Sequence, residues 1–244
     1  MVTPEHPNSS KDDAMLPSEK LDKNKLNSLR AAVLGANDGL VSTSSVVMGV
    51  AGATTDRHAI VVAGLAALVA GALSMAVGEY VSVSSQSDAE KAYIAEEMRR
   101  LKDNPEQELD QLAREYEKLG VARKTALVVA RELTAKDVLK SHLQVHFNID
   151  PDQINSPMQA AIASLLSFTV GGLVPFTAVL LAPNQWRIPA VICSVLFALV
   201  VTGYLSAMAG NASRTRAVSR VLIGGALAMA VTYYIGKLFG VVTG

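Results

Sequence analysis

The chain has 244 residues, half of them hydrophobic and only 18% charged, with 22 Lys and Arg against 22 Asp and Glu. That balance favours neither nucleic acid nor a strongly acidic partner. A single cysteine, Cys193 in an apolar run, excludes an intramolecular disulfide and reads as inert packing.

Long uncharged stretches alternate with charge-dense ones, the pattern of a membrane protein rather than of a soluble core. Residues 1–28 are rich in Pro, Ser, Asp and Lys without an apolar segment, and predict a disordered cytosolic tail. A helix needs about 20 apolar residues to cross a bilayer. Five segments qualify: 29–53, 59–83, 158–182, 188–209 and 221–242. Very short loops join the first to the second and the third to the fourth, so each pair predicts a helical hairpin. With the amino terminus in the cytosol, 19 of the 22 basic residues fall on the inner side, leaving only Arg57, Arg187 and Lys237 outside. The carboxyl terminus is then external. Trp186, Tyr233 and Tyr234 stand near span ends as interfacial anchors. The glycine pairs 35/39, 49/52, 171/172 and 236/240 suit closely packed membrane helices.

Between the second and third spans lies one soluble piece, residues 84–156, too small to bury a large core alone. "SDAEKAYIAEEMRRLKD" predicts an amphipathic helix broken at Asn104-Pro105. "PEQELDQLAREYEKLG" predicts a second, with Pro105 at its start and Gly120 at its end. A third follows, bent near Thr134 and stopped by Pro151. The expected organisation is a tail (1–28), two spans (29–83), a cytosolic helical domain (84–156) and three more spans (157–244). In fold class this is an all-α membrane protein.

Two acidic residues lie inside spans, Asp38 and Glu79. A carboxylate at membrane depth is costly, so it normally faces a bundle interior and binds something. Asp38 lies roughly 13 Å and Met75 roughly 12 Å from the cytosolic end of their spans at the helical rise. The two can therefore face each other near mid-membrane, with Glu79 one turn nearer the cytosol on the face of Met75. A carboxylate beside a thioether suits a borderline first-row cation better than Mg²⁺ or Ca²⁺. In the soluble piece, Glu90 and Glu97 share one helix face, as do Glu108 and Glu115, and His142 and His146 stand at the i, i+4 spacing that lets two imidazoles reach one metal. A solvated charged face and paired surface histidines are the plain alternatives. No phosphate-binding loop, dinucleotide turn, nucleophile elbow, H-E-x-x-H or basic aromatic patch occurs, so an enzyme or a nucleic-acid binder is not expected.

"LRAAVLGANDGLVST" and "GALSMAVGEYVSVSSQSDAEKA", supported by "GGLVPF" and "RVLIGGALAMAVTYYIGKLFG", resemble the vacuolar iron transporter family over residues 29–244. The resemblance implies a five-span protomer that dimerises, with the ion path between two copies of the first span. It implies proton-coupled export of Fe²⁺ from the cytosol, often with Mn²⁺, Co²⁺, Ni²⁺ or Zn²⁺ tolerated, and no prosthetic group. It places metal ligands at Asp38 and Met75, and a cytosolic three-helix domain that collects metal on glutamates. Here the chain departs from the family pattern. Glu97 and Glu108 remain while Arg100 and Gln111 stand at their expected glutamate partners, and His142 and His146 take positions expected to carry Met and Glu. More imidazole weakens the case for strict Fe²⁺ and strengthens that for Zn²⁺, Co²⁺ or Ni²⁺. The lack of an organelle-targeting segment points to a bacterial plasma membrane. A membrane-anchored metal buffer or sensor that binds without transport stays open as the alternative.

Overall fold

A computed structural model describes residues 23–152, 155–209 and 213–243. Of the expected tail, residues 1–22 lie outside the described residues, and residues 23–28 already belong to a helix. The order is α1 (Lys23–Ala53), α2 (Arg57–Asp103), α3 (Pro105–Lys118), α4 (Arg123–His142), a π-helical turn (Leu143–Phe147), α5 (Pro157–Leu181), a 3₁₀ turn (Asn184–Trp186), α6 (Arg187–Ala209) and α7 (Arg214–Thr243). Among the described residues there are no strands.

Among the described residues, four helices are long and apolar enough to cross a membrane: α2, α5, α6 and α7. Their outward faces remain apolar and exposed, as in Val62, Leu65, Val69 and Leu73 of α2 or Ile223, Leu227 and Val231 of α7. Contiguous apolar surface on this scale is what lipid covers. The chain is thus an all-α protein of multi-pass character. The helix carrying the expected first span, α1, is not one of the four. Asn37, Asp38 and the run Ser42–Ser45 dilute its apolar content.

That polar helix occupies the middle of the bundle. It packs most extensively on α5 and α7 and also touches α2 and α6. Glycine makes this possible. A methyl group on Gly39 would run into the Phe168 carbonyl of α5, and one on Gly236 of α7 would run into the Gly49 carbonyl of α1. Backbones meet there with no side chain between them. Gly236→Leu is therefore expected to lose most of the folded, monodisperse protein in detergent, whereas Leu at Gly224, which has open space around it, should leave the yield near that of the parent. Size-exclusion profiles of the two variants check this.

The expected second span and first soluble helix form one element, and the bend in the third soluble helix is displaced. α2 runs unbroken for 47 residues across position 84, about 70 Å at the helical rise. The composition turns from apolar to charged there, but nothing breaks the helix before Asn104, which caps it by donating its N–H to Arg100 O. The bend in α4 falls at Asp137 (φ −164°, ψ 95°) rather than Thr134. Asp137 Oδ1 accepts from the Lys140 N–H at 3.0 Å, so the carboxylate starts a fresh helical segment. Pro105 does open α3, and Gly120, at φ 94°, does close it. Cys193 is exposed on α6 rather than packed in the core; the residues a turn before and after it on that face look away from the bundle.

Leu112 and Ala113 of α3 pack on Ala126 and Ala130 of α4 in a small separate core. The charged end of α2 leans on α3, α4 and the π turn.

Candidate metal centre

α1 meets α5 through Gly35 and Gly39, α6 through Asn37 and α7 through Gly49 and Gly52. At 100° per residue, Asp38, Ser42 and Ser45 (spacing 4-3) form one polar stripe along α1. All three are half-buried. Asp38 accepts a hydrogen bond from Ser42, one turn on. The hydroxyl of Ser45 is shielded and has no partner within the described protomer.

Met75 has different neighbours. It packs against Leu68, Ala72 and Phe168, and the Phe168 ring fills the space beside Gly71 while its backbone abuts Gly39. Glu79 follows one turn later, half-buried. Phe168 of α5 thus reaches both helices that carry the in-span ligand candidates.

The charged end assembles a tighter group. Glu97 projects from α2, Glu108 from α3, His142 from the end of α4 and His146 from the π turn. Glu97 and Glu108 are 2% and 5% exposed, and His142 is fully buried. His142 Nδ1 lies 2.9 Å from Glu97 Oε1 and 4.0 Å from Glu108 Oε2. Glu97, His142 and His146 each offer a ligand atom within 4.8 Å of the others. Three buried atoms of the group have no hydrogen-bond partner among the described residues: Glu108 Oε2, His142 Nε2 and His146 Nε2. Buried polar atoms are normally satisfied, so spare lone pairs converging here are the chemistry of a cation site. The π turn contributes by shifting His146 relative to His142, with their ring centroids 5.4 Å apart.

Of the other expected residues, Glu90 stands apart and accepts from Gln86 Nε2 at 2.9 Å. Arg100 turns away to Glu96 at 3.1 Å. Sequence reasoning gave no role to the approach of Glu115 Oε1 to His146 Nδ1, at 3.7 Å. The signal was present, since Glu115 follows Glu108 by two helical turns.

Burial pushes both imidazoles below the ordinary histidine range, and for His146 the neighbouring His142 adds to the effect. Both rings are therefore neutral at pH 7, the state that binds metal. The sign follows. In an unfolded chain these histidines protonate below about pH 6.5, while in the fold they resist, so stability and metal affinity hold above that value and fall as pH drops through the lowered folded values. Chelator competition with Co²⁺ or Zn²⁺ should show little change between pH 8 and 7. It should show affinity falling as the pH is taken further below about 6.5.

The sequence profile of the VIT family matches residues 29–237. The chain is 41% identical over 211 residues to a vacuolar iron transporter of Acanthamoeba castellanii, covering 86% of this chain and 78% of the relative. It is 41% identical over 213 residues to vacuolar iron transporter homolog 2 of Arabidopsis thaliana, covering 87% and 84%. VIT-like transporter 1b of Glycine max is 36% identical, covering 87% and 76%.

Proposed function

This chain belongs to the VIT family, a family of transporters and not of enzymes, and from that premise we propose that it exports divalent transition metal from the cytosol in exchange for protons. The observation that carries the reading is the half-buried polar stripe of Asp38, Ser42 and Ser45 along α1. A second copy of α1 against that stripe would enclose the two Asp38 carboxylates, and a homodimer with five spans per protomer is the arrangement that provides it. The amino terminus lies in the cytosol and the carboxyl terminus outside.

In this account Glu97, His142 and His146 collect the ion, with Glu108 beside them. α2 then links the two sites as one rod. Glu79, Glu90 and Glu97 are 11 and 7 residues apart, close to whole turns, and so lie along one face of it. Glu79 lines the approach, Met75 offers sulfur, and Asp38 holds the ion at mid-depth. Protons from the outer side compete for the carboxylate and release the metal. Two imidazoles and a thioether favour Fe²⁺, Co²⁺, Ni²⁺ or Zn²⁺ over Mg²⁺ and Ca²⁺, with Mn²⁺ the hardest ion expected.

Proteoliposome uptake compared across Fe²⁺, Mn²⁺, Co²⁺, Ni²⁺, Zn²⁺ and Ca²⁺ under an imposed pH gradient tests this. Gradient-driven uptake of the first-row ions but not of Ca²⁺ is expected, and no uptake of any of them would remove transport. A membrane-anchored buffer is the second reading, favoured by the burial of the Glu97–His142–His146 group. It predicts metal binding by the whole protein with no flux.

A further inference from the structure

The Thr202 hydroxyl of α6 donates a 2.8 Å hydrogen bond to Asn37 Oδ1 of α1. Five other hydroxyls in the bundle behave differently. Ser44, Thr169, Thr177, Ser194 and Thr232 bond carbonyls of their own helices, the usual resort of a hydroxyl in an apolar helix. Thr202 also has such a carbonyl in reach, Leu199 O at 3.3 Å, yet it makes the shorter contact across to α1. The residue it engages is the immediate neighbour of Asp38.

The rest of the α1 surroundings explains why that matters. Where α1 meets α5 and α7, the contacts run through Gly39, Gly171 and Gly236 against backbone. Such seams permit close approach, and the apolar packing of Leu40, Val47 and Met48 that also holds α1 in the core is not directional. One residue step on a helix is 100°. A turn of that size would put Asp38 where Asn37 now stands, against α6, and would take the stripe of Asp38, Ser42 and Ser45 off the open face. A directional hydrogen bond from Asn37 to a neighbouring helix resists such a turn.

We propose that Thr202 is a positioning residue for the Asp38 site: by holding Asn37, it fixes the rotational setting of α1 and so keeps the Asp38 carboxylate on the open stripe. This rests on the reading of Asp38 as an ion-holding group. Thr202 touches no ion itself. Its removal affects how well the carboxylate is presented, not whether it exists.

Thr202→Val keeps the shape and removes the donor; Thr202→Ser keeps the donor. Flux of Co²⁺ or Fe²⁺ into proteoliposomes should show a half-saturating concentration about three- to tenfold higher for Thr202→Val, the scale of one interhelical hydrogen bond, with Thr202→Ser within about twofold of the parent. A second reading reports rotation. On a Cys193→Ser background, single cysteines at Ser42 and at Thr43, which is buried, are labelled with a water-soluble thiol reagent. Adding Thr202→Val should slow labelling at 42 and raise it at 43, a redistribution that general loosening would not produce. If Thr202→Val does not reach the membrane, Asn37→Ala removes the same bond from the other side and takes the same two measurements. An unchanged half-saturating concentration, equal damage from Val and Ser, or labelling that rises at both positions alike would each overturn the proposal. Asp38→Asn separates the two ideas: full flux in that variant sinks the ion-holding reading itself, whereas lost flux there with a normal Thr202→Val sinks the positioning role alone.

Discussion

Asp38→Ala is expected to reduce metal flux at least about 100-fold, to the level of empty liposomes, while leaving the protein folded. The expectation follows from depth and company. A carboxylate at membrane depth is costly unless something favourable meets it. Within the protomer its recorded partner is a single hydroxyl, Ser42, too little to account for keeping a charge there. Alanine removes that cost, so the thermal stability of the variant should match or exceed that of the parent. Loss of function together with unchanged or increased stability is the signature of a group kept for an ion. Loss of both would mark Asp38 as a structural residue. Met75→Leu, which conserves volume and removes sulfur, should instead shift selectivity among metals with a smaller drop in rate, since Met75 already packs well against Phe168.

His142→Ala has the largest expected effect on the charged unit. His142 is fully buried and holds Glu97, itself 2% exposed, at 2.9 Å. Removing it opens a cavity and leaves a buried carboxylate without its hydrogen-bond partner, which costs about 3 kcal/mol. Hydrogen exchange on the full-length protein should show α3 and α4 opening far more readily, with the apolar helices protected as before. Metal affinity of the group should fall about 10- to 100-fold. Glu97→Gln removes the charge and keeps the volume, so it should lose a similar amount of metal affinity with a much smaller loss of protection. That contrast separates ligand chemistry from packing. Equal protection in both variants and the parent would mean that the group is not part of the local core.

Much of this architecture was legible in the residues, for identifiable reasons. Pro105 and Gly120 bracket α3 because one can start a helix and the other can adopt the left-handed turn that ends it. The glycine pairs at 39 and 236 mark true backbone contacts, since only glycine fits there. The i, i+4 histidines and the glutamates at 97 and 108 converge because amphipathic helices in a small unit have one buried face each. Other features were not legible. The apolar-to-charged change at position 84 looks like a boundary, but helix propensity does not register a membrane edge, and α2 continues through it. Depth counting put Asp38 and Met75 at one level, yet level says nothing about direction, and it could not reveal that Phe168 of α5 lies against Met75. The bond from Thr202 to Asn37 spans 165 positions of sequence, and nothing local to either residue announces it.

The central claim is that Asp38 exchanges a metal ion for protons, and metal-driven proton movement tests it most directly. In proteoliposomes with a pH indicator inside and no imposed gradient, adding Co²⁺ or Fe²⁺ to the cytosolic face should raise the internal pH in step with metal entry. Both signals should vanish together in Asp38→Asn. Metal entry with no change in internal pH, or an undiminished response in Asp38→Asn, would contradict the account.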